Sequence, residues 1–237
     1  MEKLNITVWN ESDEPFEPYP QGINHTIAEF LRSSGEFAQV RTALQSQPEH
    51  GLTDEVLDNT HVLVYWAHKY HHEMDETIVR RVQQRVLNGM GLILLHSAHA
   101  AKIFSCLVGT ETARLRWRDC GELERVWTIE PHHPIAKGVP EYINIPESEM
   151  YGENFQIPAP DELIFLSWYE GGEVFRSGCT FRRGGGKIFF FSPGHETHPI
   201  YYMPEIQKII VNSIKWAAPQ YVPNIVTGHT PDFVTKT

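Results

Sequence analysis

The chain has 237 residues, 41% of them hydrophobic and 21% charged, which suits one large α/β domain and is too apolar for bulk disorder. Thirty acidic against 20 basic residues give a formal charge of -10, which excludes a general affinity for nucleic acid or for anionic membrane surfaces. No apolar run is long enough to span a bilayer, and the N-terminus enters a strand pattern without the apolar stretch of a signal peptide, so a cytoplasmic protein is expected. Cys106, Cys120 and Cys179 are odd in number and widely spaced. They fit neither a disulfide framework nor a zinc knuckle and read as small buried filler.

Residues 5–10 predict a first strand, followed by a proline-bearing acidic loop through Tyr19 and Pro20. Ile23, Ile27, Phe30 and Leu31 then recur at helical spacing up to Ser34 and Gly35. A second strand is expected over 37–42, a short helix over 53–59, and a third strand over 62–66. Ile78, Val79, Val82, Val86 and Leu87 mark the next helix, closed by Asn88 and Gly89. The run Leu92-Ile93-Leu94-Leu95 is bounded by glycine and passes into His96-Ser97-Ala98-His99 and a helical pattern. Such a run reads as a buried parallel strand feeding a helix. These β-α units imply a doubly wound, mostly parallel sheet.

The second half has a different rhythm. Residues 115–130 alternate, 162–168, 173–181 and 187–192 read as strands, and glycine turns separate them, so antiparallel additions to the sheet are expected. A last helix carries Ile206, Ile209, Ile210, Ile214 and Trp216 inward. Residues 1–219 therefore read as one domain and 220–237 as an extended tail. The apolar surface of the last helix, the 188–191 strand and the tail predicts a homo-oligomer.

Histidines gather after strand candidates, in His68/His71/His72, His96/His99 and His195/His198. In an open α/β sheet, strand ends converge on one crevice, so a shared pocket is expected. His68, His96 and His195, with Glu153 or Glu196 nearby, have the composition of a zinc or other divalent-metal site. The alternative is a set of neutral imidazoles that hydrogen-bond a polar ligand. His195-Glu196-Thr197-His198 is one residue short of the zinc-helix spacing and is followed by Pro199, so it is not that motif. Ser97 holds the place of a nucleophile after the strand, but the small flanking residues of a nucleophile elbow are lacking, and helix capping is the milder reading. Arg182-Arg183-Gly184-Gly185-Gly186-Lys187 precedes a strand, not a helix, so it reads as a hairpin turn, and no nucleotide cofactor is expected. Glu149 to Glu153 lies in an irregular stretch, either a pocket loop whose Glu153 serves as a base or a solvated acidic loop. Trp66 and Tyr151 are the expected aromatic platform for a sugar.

Together, Tyr19-Pro20-Gln21-Gly22-Ile23, Trp66-Ala67-His68-Lys69-Tyr70-His71, Leu94-Leu95-His96-Ser97-Ala98-His99, Glu149-Met150-Tyr151-Gly152-Glu153, Trp168-Tyr169-Glu170-Gly171-Gly172-Glu173, Ser192-Pro193-Gly194-His195-Glu196 and Ile214-Lys215-Trp216-Ala217-Ala218-Pro219 resemble the trehalose-utilisation, or ThuA-like, family. The resemblance implies a flavodoxin-like fold of the class I glutamine amidotransferase-like type, without the amidotransferase cysteine. It also implies a role in sugar catabolism on trehalose-like disaccharides or their keto derivatives, with a sugar oxidoreductase as partner. On that reading His96, His195 and Glu153 are the catalytic candidates, and Trp66, His68, His71, Ser97, His99, Tyr151 and Glu196 the substrate contacts. A non-catalytic scaffold for the oxidoreductase is the alternative.

Overall fold

A computed structural model describes residues 3–110 and 113–220. Five strands form a parallel core: β1 (Asn5–Asn10), β2 (Gln39–Leu44), β3 (Val62–Ala67), β4 (Gly91–His96) and, from the far end of the chain, Gly186–Phe191. Between β4 and that last strand come β5 (Arg116–Thr128), β6 (Tyr142–Gly152), β7 (Glu162–Tyr169) and β8 (Val174–Arg183), so Gly186–Phe191 is β9. The nine strands make one sheet in the order β2-β1-β3-β4-β9-β8-β7-β5-β6. Pairing is parallel from β2 through β9 and antiparallel from β9 to β6. The parallel part has the flavodoxin-like order, with β9 as its fifth strand.

The central strands are apolar throughout because both of their faces are covered. Val62, Val64 and Trp66 join a core with α1 (Ile23–Ser33) and, at the end of the chain, Pro204–Ala217. Leu63, Tyr65 and Ala67 point the other way, onto α3 (Glu76–Leu87) and α4 (Lys102–Val108). With the short helix α2 (Asp54–Asp58) between them, Pro204–Ala217 is α5. This alternation is the two-residue period of a strand acting on both faces of the sheet.

Three expectations shift. The second strand begins two residues later than its apolar residues suggest, because Phe37 packs partly buried on the α1 side while Ala38 N–H still bonds Leu4 O ahead of the ladder. The stretch read as irregular around Glu149 is β6, an 11-residue strand. It holds Pro146 without penalty because it is the last strand of the sheet, where a missing N–H can face away from the ladder. Ile188 to Phe191 and the inner face of α5 are buried within this chain. Of the cysteines only Cys179 is buried, and Cys120 is exposed. Apart from Gln220, the expected tail lies outside the described residues. Among the described residues no helix is long and apolar enough to cross a membrane.

Candidate metal and ligand site

The carboxyl ends of the parallel strands meet, and the chemistry sits there. β3 delivers His68 just past Ala67, β4 ends on His96, and β9 is followed by Ser192-Pro193-Gly194-His195. The fourth contributor, Glu149, comes from β6 in the antiparallel half. One ligand atom each from His68, His96, Glu149 and His195 lie within 4.8 Å of one another.

His96 is placed by a strained turn. Its backbone has φ 58 and ψ -129, a left-handed conformation rare for a bulky residue, at the junction of β4 and a 3-10 turn over Ser97–Ala100. Strand-to-helix turns of this kind lift one side chain to the top of the sheet. The lifted residue is His96, and the flanking positions two away are Leu94 and Ala98, so the turn lies one residue earlier than the sequence suggests. Ser97 does not cap the following turn with its side chain. Its hydroxyl makes a short hydrogen bond with the Tyr151 hydroxyl instead.

Hydrogen bonds to the near ring nitrogens orient the imidazoles. His68 Nδ1 lies 2.8 and 2.7 Å from the two oxygens of Glu196, and Lys69 Nζ adds a 2.8 Å bond to the same carboxylate. His96 Nδ1 lies 3.4 Å from Ser192 O, and His195 Nδ1 lies 2.8 Å from Thr197 Oγ1. With Nδ1 of His68 and His96 turned to these acceptors, their Nε2 lone pairs are left for a ligand, the arrangement that carboxylate-backed metal histidines use. His96 Nε2 and Glu149 Oε2 are buried, 3.5 Å apart and without a protein hydrogen-bond partner. Zinc bonds near 2.1 Å require tetrahedral edges of roughly 3.4 Å, which this pair already has. The cluster could hold a metal ion: its donors converge, three of the four residues are buried, and two of the ligand atoms are unsatisfied.

Burial sets the charge state. It pushes His96 well below the ordinary imidazole range, with neighbouring His68 and His195 adding to the shift, and it lowers His195 as well. Both are neutral at pH 7, and His96 keeps its Nε2 lone pair for a ligand, whereas His195 Nδ1 accepts from Thr197 N–H at 3.2 Å. Burial pushes Glu149 up to about 7. Glu196 behaves oppositely: burial opposes its charge, but the hydrogen bonds from His68 and Lys69 outweigh that and hold it far below the usual carboxylate range. Glu11, just past β1, fixes the loop carrying His68 by accepting from Lys69 N–H (2.5 Å) and Tyr70 N–H (3.1 Å). The loop after β1 also reaches the site's other support, since Tyr19 donates to His198 O at 2.6 Å.

A cleft of about 270 Å³ opens beside the cluster, lined by His68, His71, Ser97, His99, Glu149 and Tyr151 from the floor and by Leu115 and Trp117 from the rim. A larger groove, about 960 Å³, runs along α5 and is lined by none of these histidines. The chemistry therefore belongs to the smaller one.

The structure brings His68, His71, His96, Ser97, His99, Tyr151, His195 and Glu196 together and sets two expected residues apart. Glu153 lies beyond the end of β6, where its carboxylate accepts from Arg176 Nε (2.8 Å), Arg176 Nη2 (3.1 Å) and Phe155 N–H (2.7 Å). The carboxylate among the converging ligand atoms is Glu149. Trp66 is no open platform. It is buried under the site, its ring stacked on His96 with centroids 5.7 Å apart and its indole N–H donating to Gly194 O at 2.9 Å. Glu196 has both oxygens occupied by His68 and Lys69, so it supports His68 and does not face a ligand. Sequence reasoning passed over Glu149 and Trp117. The available signal was the strand period, which places Glu149 and Tyr151 on one face of β6.

A flavodoxin-like parallel core that continues into antiparallel strands, with a strained turn after β4, gives a fold that resembles glutamine amidotransferase-like structures. The chain belongs to the ThuA family, described as trehalose utilisation, which residues 5–217 match. A ThuA-like protein of Parabacteroides merdae has a similar structure, with TM-score 0.69, 16% identity, and 94% of each chain covered. A cytoplasmic protein of Salmonella typhimurium aligns with TM-score 0.59 and 16% identity over 92% of this chain and 100% of the other. PurLQS from Thermotoga maritima aligns with TM-score 0.56 and 11% identity, covering 90% of this chain and 99% of that one. No curated protein matches the sequence significantly.

Proposed function

We propose that this protein acts in sugar catabolism, binding a trehalose-related disaccharide or its keto derivative in the histidine-lined cleft and converting it with the help of a divalent ion, zinc in the first instance. The observation that carries this reading is the convergence of His68, His96, Glu149 and His195, with two buried ligand atoms unsatisfied. Family membership supports the carbohydrate. The four side chains would hold the ion, and a bound zinc supplies Lewis acidity toward a carbonyl or hydroxyl oxygen. Burial raises Glu149 to about 7 when no ion is present, and a bound cation would offset that by holding the carboxylate ionised. The paired hydroxyls of Ser97 and Tyr151 orient a substrate hydroxyl at the cleft wall. Glu196 keeps His68 in register. The proposed setting is the cytoplasm, supported by three unpaired cysteines, the state a reducing compartment maintains.

The test is elemental analysis of tag-free protein, together with turnover of a panel of disaccharides and their keto derivatives before and after treatment with a chelator. A stoichiometric ion and chelator-sensitive turnover are expected. Metal-free protein with unchanged turnover would leave the histidines as hydrogen-bonding groups only, and heat of binding to an oxidoreductase partner but to no sugar would favour a scaffold.

A further inference from the structure

Trp117 is out of place as a packing residue. It is 67% exposed, whereas Trp9, Trp66 and Trp216 are buried. In the β5–β6 pair Trp117 stands opposite Tyr151, so the two side chains share one side of the ribbon, and both line the cleft. Leu115 continues this apolar wall. Across the cleft, both ring nitrogens of His71 and Nδ1 of His99 are buried without a protein partner. Buried nitrogens left unsatisfied are uncommon in native proteins and call for a partner. One wall thus offers a flat aromatic face, and the other offers unfilled hydrogen-bonding positions.

The charge of the cleft narrows what fits. Arg116 and Arg118 flank Trp117 in sequence, but their side chains are occupied elsewhere: Arg116 Nε donates to Glu153 O, and Arg118 pairs with Glu122 and Glu173. Among the described residues no lysine or arginine lines the cleft, and Glu149 adds an acidic group to it. Apart from the proposed ion, a phosphate or carboxylate would find no cationic side chain there, and desolvating one without a partner is costly.

We infer that Trp117 is the stacking platform of a subsite for an uncharged pyranose ring, whose hydroxyls bond His71 and His99, and that the cleft without its ion rejects phosphorylated sugars and sugar acids. The C–H face of a pyranose lies on the indole while its equatorial hydroxyls reach the imidazoles opposite. This rests on the reading that the cleft takes a sugar, and it adds which residues select the ring and which sugars are refused.

The experiment is calorimetry on the full chain with trehalose, its keto derivative and trehalose phosphate, comparing wild type with Trp117→Phe and Trp117→Ala. Trp117→Ala should weaken binding of the uncharged sugar roughly tenfold or more, and Trp117→Phe should retain most of it. Metal content and thermal midpoint should stay as in wild type, since the side chain is exposed. Trehalose phosphate should bind more weakly than trehalose to wild type stripped of metal by a chelator. If wild type binds trehalose and Trp117→Ala binds it equally well, the platform is overturned while the sugar-binding reading stands. If Trp117→Ala changes only the oligomeric state, Trp117 is a chain-to-chain contact and the inference fails. Tight binding of the phosphate would overturn the selectivity, and absence of any sugar binding by wild type would remove both readings together.

Discussion

Glu149 and Glu153 lie four residues apart and are set to different tasks by their surroundings. Glu149 is buried with Oε2 unsatisfied beside His96, and burial lifts its pKa to about 7. Glu153 is half-buried, and although burial pushes its carboxyl upward, the Arg176 guanidinium and the Phe155 N–H prevail and hold it low. A paired carboxylate of the second kind has no proton to give near pH 7 and no free lone pair for an ion. Glu149→Gln should therefore weaken metal binding by at least the roughly 10–100-fold that is typical of losing a partner of a metal ligand. Glu153→Gln should leave metal content unchanged and cost only a small amount of stability, because a partly exposed ion pair contributes little. Metal titration of the two variants by calorimetry checks this. Equal losses in both would show that Glu153 reaches the site after all.

The elements explain how much of this was legible beforehand. β3, β4 and β9 announce themselves as unbroken apolar runs, and because they are parallel, their carboxyl ends gather whatever follows them: His68, His96 and His195. β6 gave no such signal, since Pro146 interrupts it and the alternation over 142–145 gives way to a continuously buried run from Ser148. With that strand unread, its facing could not be derived, and the choice fell on Glu153. Trp66 was misjudged for a related reason: an all-apolar run says that both faces are buried but not which residue lies beneath the site. The placement of His96 depends in turn on the seating of β4. A Cβ built on Gly91 meets Ala217 O at 2.5 Å and Ala217 Cβ at 2.9 Å, so the end of α5 lies directly on the start of the strand that carries His96 at its other end. Gly91→Val should destabilise the fold by about 1–3 kcal/mol, the usual cost of overpacking a tight contact. Urea unfolding measures it, and an unchanged midpoint would show that α5 yields freely.

At the scale of the whole molecule, the buried histidines tie folding to pH. Burial lowers His71 to about 4 and His99 to about 3, whereas in the unfolded chain an imidazole takes its proton near 6.5. Below 6.5 the unfolded chain binds protons that the folded protein refuses. The stability these residues provide is therefore complete above pH 6.5 and drains away as the pH falls toward 3 to 4. Burial raises Glu11, Glu124 and Glu149, which act in the opposite sense: they take protons earlier in the folded protein and become less unfavourable as the pH falls toward 4.5. Among the described residues five histidines are depressed, His71, His96, His99, His133 and His195, against these three raised carboxylates. Stability should accordingly decline from pH 6.5 downward. His99→Phe isolates one contribution, because the ring sits edge-on to Tyr151, Phe155 and Phe190 and its Nδ1 has no protein partner to lose. Urea midpoints between pH 7 and 4.5 should fall less steeply in His99→Phe than in wild type, with the gap between the two proteins widening as the pH drops. Parallel curves would mean that His99 takes up its proton in the folded protein as readily as in the unfolded one, and that the aromatic cage around it admits water.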